Sequence, residues 1–329
     1  MHDYAAHQGG NQPLNIVSDM ALTGRDFLSL MDFSRAEILL MLDTADDLKR
    51  KWHNHEPHEL LRGRSVAILF EKPSTRTRTS FQAAIAHLGG QSFYMRPDEL
   101  QLARGEPIKD TARVIDRYCD ALVMRTFGQD RLEEFARYMR NPVINALSDL
   151  THPCQGLADM QTIREKKRRL EKLKVAYAGD VWNVCHSLMI ACSLLGIDIF
   201  VARPKGYEPN LKVLKFAQEH ANMNGSRCVV TDDLEEAVKG ADVVYANTWH
   251  SMGGPEKEKE KRIKDFTPYQ LNEQTTNNAK PDFIFMHCLP GYRGEEMSDG
   301  IIEGPHSVVW DQAENRMHTE KAVLRLMVS

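Results

Sequence analysis

The second half of the chain alternates short apolar runs with amphipathic ones, and this alternation restricts the fold more than any other feature. "KVAYAG", "DIFVARP", "RCVVTD", "DVVYANTW" and "PDFIFMHCLP" read as strands, and "NVCHSLMIACSLLG", "NLKVLKFAQEHA" and "DLEEAVKGA" carry helical rhythm between them. Strands that are apolar throughout belong inside a sheet covered on both faces, so the pattern predicts a mainly parallel sheet flanked by helices. "SVVWDQ" follows the last of these strands, and a terminal helix is expected over "TEKAVLRLM".

The first half repeats the scheme. "DFSRAEILLMLDTADDLKRKW" places Ser34 and Glu37 at capping-box spacing, followed by Ile38, Leu39, Met41, Leu42, Ala45 and Leu48 at helical intervals. "SVAILF" reads as a buried strand, and Phe81, Ala84, Ile85 and Leu88 put an apolar stripe on the next helix, which Gly89 and Gly90 close. "QSFYM", "DALVMR" and "PVINAL" are further strands, and "IKDTARVIDRY" and "QDRLEEFARYM" are helices. "SDLTHPCQGLADMQTIREKK" ends in a charged helix that crosses between domains. With 329 residues, length favours two domains of about 150 residues each. The expected class is α/β, two doubly wound domains each with a mainly parallel sheet.

Composition removes several function classes. A formal charge of −4 gives no electrostatic case for nucleic acid or a membrane surface. The six cysteines show no CxxC spacing, so reduced thiols in a cytoplasmic protein are expected rather than a disulfide framework or a zinc ribbon. "MHDYAAHQGGNQPLNIVSDM" lacks the charged and apolar regions of a secretory signal, and no apolar run approaches membrane-spanning length. A polar tail is expected there.

In open α/β sheets ligands sit outside the carboxyl ends of the strands, and the unusual residues fall at those ends. "EKPSTRTR" follows "VAILF", "RTF" follows "DALVM", "THPCQ" follows "PVINALSDL", "GDVWN" follows "KVAYA", "NTWHSMG" follows "DVVYA", and "HCLP" follows "PDFIFM". At a strand-to-helix turn, Ser74, Thr75, Arg76, Thr77 and Arg78 add hydroxyls and guanidinium forks to the unpaired N–H groups of a helix N-terminus, which suits a phosphate. A capped helix with solvent-facing arginines is the other reading of that string. Neither a Walker loop nor GxGxxG follows any strand, which demotes nucleotide binding. Arg125 at a strand end needs an anion, supplied by a ligand or by a structural partner. His152 and Gln155 place a donor and an amide together, and His287 with Cys288 forms no known metal-ligand pattern. No metal and no cofactor are expected.

Taken together, "STRTR", "MRTF", "HPCQ", "SMG", "HCLP" and "ENR" resemble the aspartate/ornithine carbamoyltransferase family, and more its ornithine branch than its aspartate branch. The resemblance runs from about Leu22 to the C-terminus. It implies a carbamoyl-phosphate domain over 1–150, an amino-acid domain over 151–314, and a last helix over 315–329 that returns to the first. It also implies a homotrimer, or a multiple of trimers, with sites between subunits. Carbamoyl transfer to ornithine, giving citrulline and phosphate, is the implied reaction, and its small-molecule partners are carbamoyl phosphate and ornithine. Carried over by motif, Ser74, Thr75, Arg76 and Thr77 hold the phosphate and Arg125 reaches phosphate and carbonyl oxygen. His152 and Gln155 hold the carbamoyl group with Cys288, Leu289 and Arg316, and Gln101 reaches a neighbouring subunit's site. Arg125, His152, Cys288 and Arg316 are the implied catalytic set. Asn183, Asn247, Ser251, Met252 and Cys288 match ornithine contacts.

Two positions depart from the family pattern. Asn247 stands where ornithine enzymes usually carry an aspartate, and Val181 and Trp182 in "GDVWN" replace a smaller Gly-Asn. Both changes leave open a different acceptor, such as putrescine, a modified ornithine or another diamino acid. A non-catalytic relative is the reading from another class.

Overall fold

The computed structural model describes residues 22–250 and 256–328. In the first half α1 (Arg35–His53) precedes β1 (Ser65–Phe70), α2 (Thr75–His87), β2 (Gln91–Met95), α3 (Ile108–Tyr118), β3 (Ala121–Arg125), α4 (Gln129–Tyr138) and β4 (Val143–Leu147). These four strands pair in parallel in the order β2-β1-β3-β4. Then α5 (Pro153–Lys167) leads to β5 (Lys174–Ala178), α6 (Asn183–Leu195), β6 (Asp198–Ala202), α7 (Leu211–Met223), β7 (Cys228–Thr231), α8 (Leu234–Val238) and β8 (Val243–Ala246). Last come α9 (Glu256–Phe266), β9 (Ile284–His287), α10 (Asp299–Ile302) and α11 (Val309–Met327). The second sheet is also parallel, in the order β7-β6-β5-β8-β9.

Both sheets reverse their winding direction, the first between β1 and β3 and the second between β5 and β8. Such switch points open a crevice at the strands' carboxyl ends. Their central strands are buried along nearly their whole length because helices cover both faces, as the sequence implies. A single apolar core runs from α1 through β1 and α5 into α6 and β5, so the two halves share buried surface.

Local signals explain where elements begin. Ser34 Oγ accepts from the Glu37 N–H at 3.3 Å while Glu37 accepts from the Ser34 N–H at 2.7 Å, which closes the expected box at the start of α1. Leu39 is only partly buried; Ile38, Met41, Leu42, Ala45 and Leu48 carry the core stripe. The charge run "EKEKEKR" forms α9. One boundary differs from expectation. The terminal helix begins at Val309, well ahead of "TEKAVLRLM", and takes in most of "SVVWDQ". Its buried face carries Gln312, Asn315, Arg316, Thr319, Glu320 and Lys321 ahead of Ala322, Val323, Leu324 and Leu326, so an apolar stripe marks only its C-terminal part.

Candidate functional site

Ser74 caps α2, its hydroxyl accepting from the Thr77 N–H at 3.3 Å, and the first turn of the helix opens toward the cleft between the sheets. The two arginines of the bend then part. Arg76 lines the cleft, whereas Arg78 lies 3.6 Å from the Tyr94 ring centroid and donates to Gln82 at 3.2 Å. Thr77 is buried beneath the turn, with Oγ1 3.5 Å from Arg316 Nη2.

Arg125 ends β3 and is 5% exposed. Neither Arg125 nor Arg76 forms an ion pair among the described residues, and Arg125 Nε has no hydrogen-bond partner. Burial, then Arg316 and Arg76, push the Arg125 guanidinium down to about 10. That is the signature of cations gathered without their anion. His152, the N-cap of α5, donates its backbone N–H to Ser187 Oγ at 2.7 Å, and its buried Nδ1 has no partner. Burial, then Arg316 and Arg125, hold its imidazole neutral, well below the ordinary histidine value.

Arg316 is fixed from behind. It donates to Gln155 Oε1 and to Glu320 Oε1, both at 2.8 Å. Gln155 in turn donates to Asp159 at 2.8 Å, and Gln312 donates to the same oxygen at 2.7 Å. Burial pushes the Asp159 carboxyl up to about 6 and that of Glu320 up to about 7. Arg316 Nε stays unpartnered in the cleft wall.

The facing wall comes from the second sheet. Cys288 donates its S–H to Asn247 Oδ1 at 3.3 Å, Asn247 Nδ2 donates to Tyr177 Oη at 2.9 Å, and Tyr177 donates to the Asp180 carbonyl at 2.6 Å. Burial pushes the Cys288 thiol up to about 12, so it is a neutral donor at physiological pH. Leu289 follows at φ 58°, a conformation costing about 1–3 kcal/mol for a residue with a Cβ. His287 offsets that strain, accepting the Leu289 N–H at Nδ1 (2.8 Å) while Nε2 donates to buried Glu296 at 3.1 Å. Asn183 donates to the Ser148 carbonyl at 2.7 Å, joining the walls at the floor.

Thus Ser74, Arg76, Thr77, Arg125, His152, Gln155, Asn183, Asn247, Cys288, Leu289 and Arg316 line one cleft. Thr75 is exposed and not part of its lining, and Gln101 lies exposed on a short 3-10 helix (Gln101–Arg104) away from it. Among the described site residues carried over by motif, these two alone lie outside the lining. Ser251 and Met252 lie outside the described residues. Sequence reasoning missed Lys72, Asp149, Thr248, His250 and Tyr292 in the lining, and missed the Asp159, Gln312 and Glu320 support. Lys72 sits in the same bend as Arg76, and Thr248 and His250 lie in the "NTWHSMG" stretch beside Asn247, so those three were within reach of the motifs; the support from Asp159, Gln312 and Glu320 comes only through tertiary packing.

The chain matches the carbamoyl-P binding domain of aspartate/ornithine carbamoyltransferases over 25–165 and their Asp/Orn binding domain over 171–327. The chain belongs to the aspartate/ornithine carbamoyltransferase family. Among its members, it is 51% identical over 309 residues to the anabolic ornithine carbamoyltransferase of Pyrococcus furiosus, covering 94% of this chain and 98% of that one. The ornithine carbamoyltransferase of Anoxybacillus flavithermus is 48% identical over 311 residues, 94% of this chain and 99% of the other. In structure the Pyrococcus furiosus enzyme superposes with a TM-score of 0.91 over 93% of this chain and 98% of its own, at 51% identity. The anabolic enzyme of Campylobacter jejuni gives 0.86 over 91% and 97%, at 44% identity. The two-domain parallel α/β fold and the family relation expected from the motifs are therefore those found.

Proposed function

We propose that this carbamoyltransferase moves the carbamoyl group of carbamoyl phosphate to the side-chain amine of L-ornithine, releasing L-citrulline and phosphate. The observation that carries it is the convergence of Arg76, Arg125 and Arg316 in one cleft with, among the described residues, only Arg316 paired to a carboxylate. The phosphate sits at the N-terminus of α2 against Arg76 and Arg125. The neutral amine attacks the carbamoyl carbon, charge builds on the carbonyl oxygen, and Arg125 and neutral His152 stabilise it as fixed donors. The C–O bond to phosphate then breaks, the arginines take up the leaving group's charge, and the amine's proton passes to phosphate or water. The Cys288 thiol, tied to Asn247, orients the acceptor rather than attacking it. Placing both reactants in one cleft supplies the remaining advantage.

The same reading includes a cytoplasmic homotrimer in which Gln101 serves a neighbouring site; its exposed place away from its own cleft supports this. It divides the chain into domains at 1–150 and 151–314, with the end of α11 returning to the first, and contacts of α11 with α1 and α2 support that return. It also makes α9 part of a lid: Arg262 on α9 pairs with Asp180 and donates to the Trp249 carbonyl at 2.7 Å. Another diamine acceptor is the second reading, favoured by neutral Asn247 and by the bulk of Trp182 in the lining.

Phosphate release and carbamoylated product, measured with ornithine, putrescine and other diamino acids, separate these readings. Citrulline from ornithine is expected. Turnover with ornithine no greater than with water would overturn the proposal, and turnover with another amine alone would favour the second reading.

A further inference from the structure

Away from the cleft, the end of α1 and the middle of α11 bring together two imidazoles and a carboxylate that the carbamoyl chemistry does not use. We propose that His53, Glu314 and His318 form a binding site for one divalent transition-metal ion of the zinc, cobalt or nickel class, clamping α1 to α11. Glu314 and His318 are four residues apart on one face of α11. His53 is the last residue of α1, 261 positions before Glu314. His53 Nε2 lies 3.0 Å and His318 Nε2 3.1 Å from the same oxygen, Glu314 Oε1. The ligand atoms of all three fall within 4.8 Å of one another. The His53 side chain is 56% exposed, so its ring can turn toward a shared ion without displacing packed neighbours.

Two imidazoles with one carboxylate suit borderline metals, whereas magnesium and calcium prefer oxygen ligands. His318 is the inner ligand, wholly buried, and His53 and Glu314 form the solvent-facing side through which an ion enters. In the metal-free form His318 Nε2 donates to Glu314 Oε1, and coordination through Nε2 moves that proton to Nδ1, which no other group occupies among the described residues. Lys49 is offset by Glu165 at 3.0 Å, which limits the repulsion an arriving cation meets. Glu314 and His318 bracket Arg316 on the helix, so an ion here stiffens the turn that presents that arginine to the cleft. The sequence hides the site because its third ligand comes from the other end of the chain.

The test is a cobalt titration of the full chain at neutral pH, comparing the parent with His53→Ala, an exposed change that leaves both helices intact. The parent is expected to bind one Co2+ with visible d–d bands and no near-ultraviolet thiolate band. In His53→Ala affinity falls roughly tenfold or more, since losing even an outer partner of a metal site costs on that scale. Zinc raises the melting temperature of the parent and raises that of the variant less. Equal cobalt affinity in parent and variant, or a bound ion seen only with a thiolate band from a cysteine, would overturn the proposal.

Discussion

Arg76 and Arg78 are two residues apart with the same chemistry, yet one faces the cleft and the other stacks on Tyr94. Helical geometry makes that separation, because positions i and i+2 lie on different faces. Two predictions belong at this scale. The Cys288 thiol, pushed up to about 12, reacts slowly with iodoacetamide at pH 7.5; alkylation as fast as that of an unperturbed cysteine would show a thiolate and remove its assigned role as neutral donor. Asn247 is 4% exposed and meets only neutral groups. Replacing it by aspartate provides a charge for the acceptor's ammonium, about 1.5–3 kcal/mol, so Asn247→Asp lowers the KM for ornithine about ten- to a hundredfold. An unchanged or higher KM would show that another group already receives the ammonium. Both residues were legible as site members from their motifs. What stayed hidden was Asn247's satisfaction by Tyr177, whose position on β5 is 70 residues away.

Among the elements, α1 and α11 show what local signals reveal and what they conceal. Ser34, Glu37 and the apolar stripe announce α1 because caps and periodicity are both local. Ser34→Ala removes half of the capping box and is expected to lower stability by about 0.5–2 kcal/mol in denaturant unfolding, with kcat unchanged; no loss would mean the box contributes nothing to α1. The first part of α11 is concealed because its buried face there is polar. Gln312, Asn315 and Arg316 donate to Asp159, Thr162 and Gln155, and Arg316 also to Glu320, while Arg316 Nε stays unpartnered. Such a face is compatible with burial only once its partners are in place, and those partners lie on α5, 153 positions earlier for Asp159 and Thr162 and 161 for Gln155. That the element returns to the start of the chain followed from the family resemblance, not from periodicity.

At the scale of the molecule, the shared core and the charges sealed in it tie stability to pH. His318 stays neutral in the folded state until about pH 2, whereas in the unfolded chain it takes up a second ring proton below about 6.5. Stability therefore falls as pH drops below about 6.5, by up to about 1.4 kcal/mol per pH unit from this residue. Asp159 and Glu320, raised to about 6 and about 7, act in the opposite sense and lose stability as pH rises through those values. Comparing the parent with His318→Gln under chelation isolates the histidine: the variant's unfolding free energy should decline less steeply between pH 6.5 and 5. Identical slopes would mean that His318 is protonated in the folded protein. The central claim is more directly tested by the kcat/KM for citrulline formation in Arg125→Ala, with folding checked by circular dichroism. The account predicts a fall on the order of 10²–10³, the scale for loss of a fixed donor to developing charge. A folded variant within about tenfold of the parent would contradict it.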